Sequence, residues 1–313
     1  MLPLIVILGA TASGKTALSL QLAERFGAEI LSCDSVCVYR HMELGTAKPT
    51  AQERARIPHH LLDLYDPNEI CTAGDYARHA RATLTNLAAR AKLPILVGGT
   101  GLYLRALLDG LFAAPPIDPG LRERLRARAA RRGAEHLHRT LARFDPTAAA
   151  RIHANDVPKV VRAIEVSLAA RRPMTQQWTE SRVGLEGYSI LRLGLDPPRA
   201  DLYARINQRA QAMFAAGLVE ETRQLQQRFG ADCRPLGSLG YAEASAVLAG
   251  TMTEPVAMAH AQQGHRNYAK RQMTWFRKEA ELHPVTWLGG CGDDPVVVER
   301  AIELVEQYLY SLS

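Results

Sequence analysis

The chain has 313 residues, 47% of them hydrophobic and 22% charged, a balance that suits about two folded domains and excludes a disordered or low-complexity protein. Its net charge of +6 favours a polyanionic partner without naming one. The cysteines at 33, 37, 71, 233 and 291 lack the paired spacing of a zinc site, which points to reduced thiols and a cytoplasmic setting.

From the first residue, Met1-Leu-Pro-Leu-Ile-Val-Ile-Leu-Gly9 has no basic leader and reads as a strand over Leu4 to Leu8, not as a signal peptide. No apolar run reaches the length of a membrane span. Thr16 to Phe26 is expected to be an amphipathic helix ended by Gly27, and Glu29 to Cys33 a second buried strand ending at Asp34. Tyr76 to Ala91 reads as helix and Leu93 to Val97 as another buried strand, followed by Gly98-Gly99-Thr100-Gly101. Strand and helix in alternation predict an α/β fold with a mostly parallel, P-loop NTPase-like sheet flanked by helices.

The texture changes after Phe112. Pro115-Pro116-Ile117-Asp118-Pro119 is a cluster of breakers, and beyond it Leu121 to Arg132, Glu135 to Phe144, Pro146 to Ile152 and Val157 to Ala170 read as helices. An inserted all-helical domain is therefore expected over 113–186, between a first part of the core over 1–112 and its remainder over 187–313. A strand returns near Tyr188 to Leu195, and Asp201 to Ala216, Val219 to Phe229 and Ala257 to Leu282 are helical.

Gly9, Ala10, Thr11, Ala12, Ser13, Gly14, Lys15 and Thr16 satisfy G-x-x-x-x-G-K-[ST] between a buried strand and an amphipathic helix. Glycines there let backbone amides turn toward an anion, the helix dipole adds positive potential, Lys15 supplies a mobile charge, and the Thr16 hydroxyl suits Mg²⁺. A hydrolytic nucleotide site usually adds a carboxylate at the end of a strand. The strand ending at Gly98 offers none, which argues against ATP or GTP hydrolysis. Asp34 and Thr100 both follow strand ends, on the side where open α/β sheets bind ligands. For Asp34, a helix cap or turn former is an equal alternative.

Arg205 and Arg209 lie one helical turn apart, where a solvated face is the simpler explanation. His265-Arg266-Asn-Tyr268-Ala-Lys270-Arg271-Gln-Met-Thr-Trp275-Phe276-Arg277-Lys278 mixes cations with aromatics, as a nucleic-acid site does, although the aromatics serve a core equally well. Arg122, Arg124, Arg126, Arg128, Arg131 and Arg132 share one expected helix with only Glu123 to offset them. That imbalance makes nucleic acid the favoured partner.

The ordered set of segments resembles the tRNA dimethylallyltransferases, also called tRNA isopentenyltransferases. It comprises Gly9 to Thr16, Asp34-Ser-Val-Cys-Val-Tyr-Arg40, Gly45-Thr-Ala-Lys-Pro49, Pro58-His-His-Leu-Leu-Asp63, Val97-Gly-Gly-Thr-Gly-Leu-Tyr103, Arg162-Ala-Ile-Glu-Val166, Leu239-Gly-Tyr241 and Tyr268-Ala-Lys-Arg-Gln-Met-Thr-Trp275. The resemblance implies transfer of a dimethylallyl group from its diphosphate to N6 of adenine 37 beside the tRNA anticodon, with Mg²⁺ as cofactor. It implies that Gly9 to Thr16 hold the diphosphate, that Asp34 is the general base, and that Thr100 and Arg209 contact the reacting centre. Asp34, Ser35, Val36, Cys37 and Thr100 would meet the tRNA, as would Arg122, Pro158, Lys159 and Arg162 of a domain that grips the anticodon stem. Ser238, Gly240 and Tyr241, and then Arg266, Lys270 and Arg271, complete the implied contacts. A monomer is expected, since no extended apolar stripe suggests an obligate partner.

Several positions depart from the family pattern. Ala10 replaces a Pro, Lys159 an Arg, Pro158 a frequent Gln and His265 a common Thr. Cys37 stands where Gln is the rule, and a thiol donates and accepts poorly against an adenine edge. Adenine selection is then expected to rest more on backbone groups or flanking nucleotides.

Overall fold

A computed structural model describes residues 1–112, 115, 118–177 and 183–312; Pro116 and Ile117 of the breaker cluster lie outside them. The chain divides into two compact units, Met1–Leu107 with Glu186–Ser313, and Leu108–Leu185. The helical unit thus starts at Leu108 and not at 113.

In the first unit the continuous apolar run Leu4 to Leu8 of β1 (Leu2–Gly9) is buried on both faces because it lies inside a sheet. The other strands are β2 (Glu29–Cys33), β3 (His59–His60), β4 (Pro94–Gly98), β5 (Tyr188–Leu195) and β6 (Thr286–Leu288), in the order β3-β2-β4-β1-β5-β6. Every strand pairing is parallel, so all carboxyl ends open on one edge. The first helices are α1 (Lys15–Phe26), α2 (Ala51–Arg56), α3 (Ala73–Ala89) and α4 (Gly101–Leu108). α1 ends at Gly27, whose φ of 61° lets its amide return to the Ala23 carbonyl. Leu18 and Leu22 are fully buried in a cluster with Ile5, Ile7 and Ile95, each stabilising by roughly 1.5–3 kcal/mol.

The second unit holds α5 (Pro119–Arg132), α6 (Ala134–Phe144), α7 (Pro146–Arg151), α8 (Val157–Ala170) and α9 (Met174–Gln177). Asp118, Asp145 and Asp156 cap α5, α7 and α8 with a Pro at the first or second helical position. Leu137, Leu141, Val160 and Ile164 are fully buried in its core. Only Leu125 of α5 is buried, and Arg124, Arg126, Arg128, Arg131 and Arg132 are exposed.

The chain returns to the first unit through α10 (Arg199–Ala215), α11 (Leu218–Phe229), α12 (Tyr241–Leu248), α13 (Glu254–Ala280) and α14 (Pro295–Tyr310). From sequence nothing was assigned after Leu282, yet β6 extends the sheet there and α14 buries Val297, Val298, Ala301 and Val305.

Candidate active site

A cavity of about 1010 Å³ in the first unit opens at the carboxyl ends of β1, β2 and β4. Its floor is the Gly9–Thr16 loop, which reverses between β1 and α1 through positive φ at Gly9, Ala12 and Gly14. A Cβ at Gly14 would sit 2.5 Å from the Gly292 amide, and Gly292 in turn donates to the Ser13 carbonyl at 2.9 Å. The loop is therefore braced from behind. The Ser13 hydroxyl is buried without a hydrogen-bond partner, an orphan donor that an anion would satisfy. Lys15 Nζ reaches back to the Ala10 carbonyl at 2.6 Å. Burial, followed by the nearby Arg209 guanidinium and opposed by Asp34, lowers the Lys15 amine to about 7.

Two loop positions act differently from expectation. The Thr11 amide is committed to Gln272 Oε1 at 2.8 Å, so it is not a free anion donor. Ala10 is fully buried against Leu202, Ile206, Ala269 and Met273, so its side chain serves the core and not a bound anion.

Asp34 lines the same cavity just beyond β2. Its Oδ1 accepts the Val36 and Cys37 amides at 2.8 and 3.1 Å. The turn-forming alternative and a place on the cavity wall thus coexist in Asp34. Thr100 Oγ1 accepts the Ser35 amide at 3.0 Å, tying the end of β4 to the Asp34 turn. Cys37 is buried, its thiol directed at the Thr46 carbonyl and held well above its ordinary pKa by burial and by Asp34. It stays a neutral thiol.

Arg209 on α10 lines the cavity and donates to the Thr46 carbonyl at 3.2 Å, while its Nε is buried and unpartnered. A solvated role does not describe it. Arg205, one turn earlier, also lines the cavity and pairs with Asp293 at 2.7 Å. His265, burdened by burial and the Arg209 charge, is lowered to about 4 and stays neutral.

The other expected RNA contacts fall into distinct settings. Ser238 bonds the Pro235 carbonyl at 2.6 Å, and Gly240 is buried with φ of 90°. Tyr241 has no exposed surface; its ring lies against Gly45 and its hydroxyl donates to Glu221 at 2.6 Å. Here the expectation is corrected, because a fully buried ring shapes the loop at Gly45 and presents nothing to an RNA. Arg266 is held by Asn207 and Gln263, whereas Lys270 and Arg271 are exposed. In the helical unit Arg122 makes a two-pronged pair with buried Glu165 at 2.8 and 2.6 Å, and Arg162 approaches the same carboxylate at 3.6 Å. Arg122 is thus half-buried in an ion pair and not a free cation, while Pro158 and Lys159 are exposed.

Tyr268, named in the cationic-aromatic stretch, and Gln272, one turn later on α13, both line the cavity; nothing in the stretch set Gln272 apart. The Thr46 carbonyl gave no signal either.

The IPP transferase family pattern matches residues 37–279. The chain belongs to that family. Among its relatives, a tRNA dimethylallyltransferase of Koribacter versatilis is 58% identical over 97% of this chain and 98% of its own length. One from Solibacter usitatus is 51% identical over 98% and 99%. The crystal structure of a tRNA isopentenylpyrophosphate transferase from Bacillus halodurans has a TM-score of 0.71 at 36% identity, covering 99% of this chain and 96% of that one. A eukaryotic dimethylallyltransferase acting on tRNA reaches a TM-score of 0.82 at 25% identity, covering 99% and 80%. The parallel sheet with a helical insertion is accordingly the fold of an IPP transferase.

Proposed function

We propose that this IPP transferase moves the dimethylallyl group of dimethylallyl diphosphate to N6 of adenine 37 of tRNA and releases diphosphate. The observation that carries the reading is one cavity with an anion cradle and Lys15 and Arg209 beside it, and with the Asp34 carboxylate in the same space. β4 brings no carboxylate to that edge, so the bound phosphates suit a leaving group. N6 attacks the allylic carbon as its bond to the diphosphate oxygen breaks. Asp34 Oδ2 takes the proton from N6, and Lys15, Arg209 and the loop amides stabilise the charge that develops on the departing oxygen.

No group of three or more His, Cys, Asp or Glu side chains among the described residues is arranged to hold a metal. The exposed Thr16 hydroxyl on the cavity wall, together with diphosphate oxygens and water, is nevertheless the oxygen-rich, incomplete donor set that Mg²⁺ accepts. When bound, Mg²⁺ would neutralise charge on the leaving diphosphate.

The exposed arginines of α5, with Lys159, would follow the phosphates of the anticodon stem. Adenine 37 would leave its loop stack to reach Asp34, a displacement that is cheaper in a loop than in a duplex. Lys270 and Arg271 would meet the same RNA, and Ser35 and Val36 would line its path. No helix among the described residues is long and apolar enough to cross a membrane, and the reading has the enzyme acting as a cytoplasmic monomer.

An isopentenyltransferase acting on free adenosine phosphates would need neither the basic helices nor the insertion. Turnover on intact tRNA is expected to exceed turnover on AMP by orders of magnitude; equal turnover on AMP would contradict the tRNA assignment. Because the free-enzyme Lys15 amine lies at about 7, diphosphate binding raises it. Affinity for inorganic diphosphate is then full below about pH 7 and weakens as pH climbs through it, beyond what the anion's own ionisation explains. Titration calorimetry across pH 6 to 9 on the wild type and Lys15→Ala checks this, with the pH dependence expected only in the wild type. Cys37→Gln is expected to sharpen discrimination for adenine over other bases at position 37, and unchanged rate and selectivity would count against the role given to backbone and flanking contacts.

A further inference from the structure

The side chain of Gln272 joins two loops that carry different halves of the site. It is buried on α13. Its Oε1 accepts the Thr11 amide at 2.8 Å and its Nε2 donates to the Gly99 carbonyl at 2.9 Å. Thr11 belongs to the phosphate loop, and Gly99 immediately precedes Thr100, whose hydroxyl holds the Ser35 amide of the Asp34 turn. A continuous chain of contacts therefore runs from cradle to base through one side-chain amide.

The packing around that amide is equally tight. A Cβ at Gly99 would lie 2.1 Å from Gln272 Nε2, and a Cβ at Gly101 would lie 2.1 Å from Trp275 Nε1. The loop between β4 and α4 is thus pressed onto α13 at two points one turn apart. These contacts explain why Gly98-Gly99-Thr100-Gly101 has glycine on both sides of Thr100. A Cβ at Gly99 would push on the Gln272 amide, and one at Gly101 on the Trp275 ring.

We infer that Gln272 is a positioning residue that sets the span between the leaving-group cradle and the Asp34–Thr100 end of the cavity. This rests on the transferase reading above. Among side chains of this shape, only an amide donates and accepts at once. Gln272→Glu keeps an acceptor for Thr11 but turns a charged oxygen toward the Gly99 carbonyl, and Gln272→Met preserves volume while breaking both links. Displacing a reacting group by about 1 Å lowers rate by about 100-fold, whereas RNA contacts distant from this amide are untouched.

The test is steady-state kinetics of the full chain and both variants with tRNA and dimethylallyl diphosphate, alongside thermal melting and titration with inorganic diphosphate. We expect kcat to fall roughly 10–100-fold in both variants, with KM for tRNA unchanged, inorganic diphosphate still bound, and the proteins still folded. A merely structural role would move stability and the fraction of active protein, and leave kcat per folded enzyme at the wild-type value; that result overturns the inference, as does a KM for tRNA that rises in step with the loss of kcat. Should the Met variant fail to fold, Gln272→Asn, one methylene shorter, makes the same comparison. An inactive wild type in the same assay would instead sink the transferase reading, so the two failures are distinguishable.

Discussion

Asp34→Asn is expected to lower kcat by about 10²–10⁴-fold, the usual contribution of a positioned general base, with tRNA affinity little changed. The substitution is informative because of how the two carboxylate oxygens divide their work. Oδ1 accepts the Val36 and Cys37 amides, and an Asn carbonyl oxygen can keep both bonds. Only the proton-accepting oxygen is replaced, by an amide nitrogen that cannot take a proton. Asp34→Ala removes the turn as well, so it should lose activity and also disturb the segment from Ser35 to Cys37. If the Asn variant were as active as the wild type while Ala was inactive, the carboxylate would be a turn former alone. Single-turnover rates with saturating donor, compared with tRNA binding by filter retention, separate the two cases.

The second large effect is expected at Arg209. Arg209→Ala should lower kcat by about 10²–10³-fold, the cost of losing one preorganised group that stabilises developing negative charge. Arg209 projects from α10 into the cavity beside Lys15, with Nη2 anchored on the Thr46 carbonyl and Nε buried without a partner. Burial lowers its pKa, opposed by the Asp34 carboxylate, so an anion arriving at this position meets a cation already stripped of water. Arg209→Lys retains charge but not the planar fork, and should recover only part of the rate. Inorganic diphosphate affinity should fall in the Ala variant along with kcat. Wild-type affinity in Arg209→Ala would mean that the guanidinium serves the Thr46 loop and not the leaving group.

Much of this site was written in local sequence, and the reason is geometric. The phosphate loop carries its own signature because a backbone cradle requires glycine at particular positions, and strand–loop–helix context is short-range. Asp34 and Thr100 were legible because parallel strands deliver their carboxyl ends to one edge, so two residues distant in sequence converge once the strands are recognised. Gln272, Thr46 and the braced Gly292 were not. Each acts through one contact to a segment far away in the chain: Gln272 to Thr11 and Gly99, the Thr46 carbonyl to Arg209, and the Gly292 amide to the Ser13 carbonyl. No periodicity records such pairings. Conversely, Tyr241 and Arg122 carry residue types suited to RNA contact, but tertiary structure commits one ring to Gly45 and one guanidinium to Glu165. Composition shows what a side chain can do, and burial decides what is left for it to do.

The most direct test of the central claim is incubation of the enzyme with unmodified tRNA, Mg²⁺ and dimethylallyl diphosphate, followed by mass analysis of the nucleosides. The predicted result is N6-dimethylallyladenosine confined to position 37, with one diphosphate released for each adenine modified. Unmodified tRNA after exhaustive incubation, or a prenyl group found at another base, would contradict it.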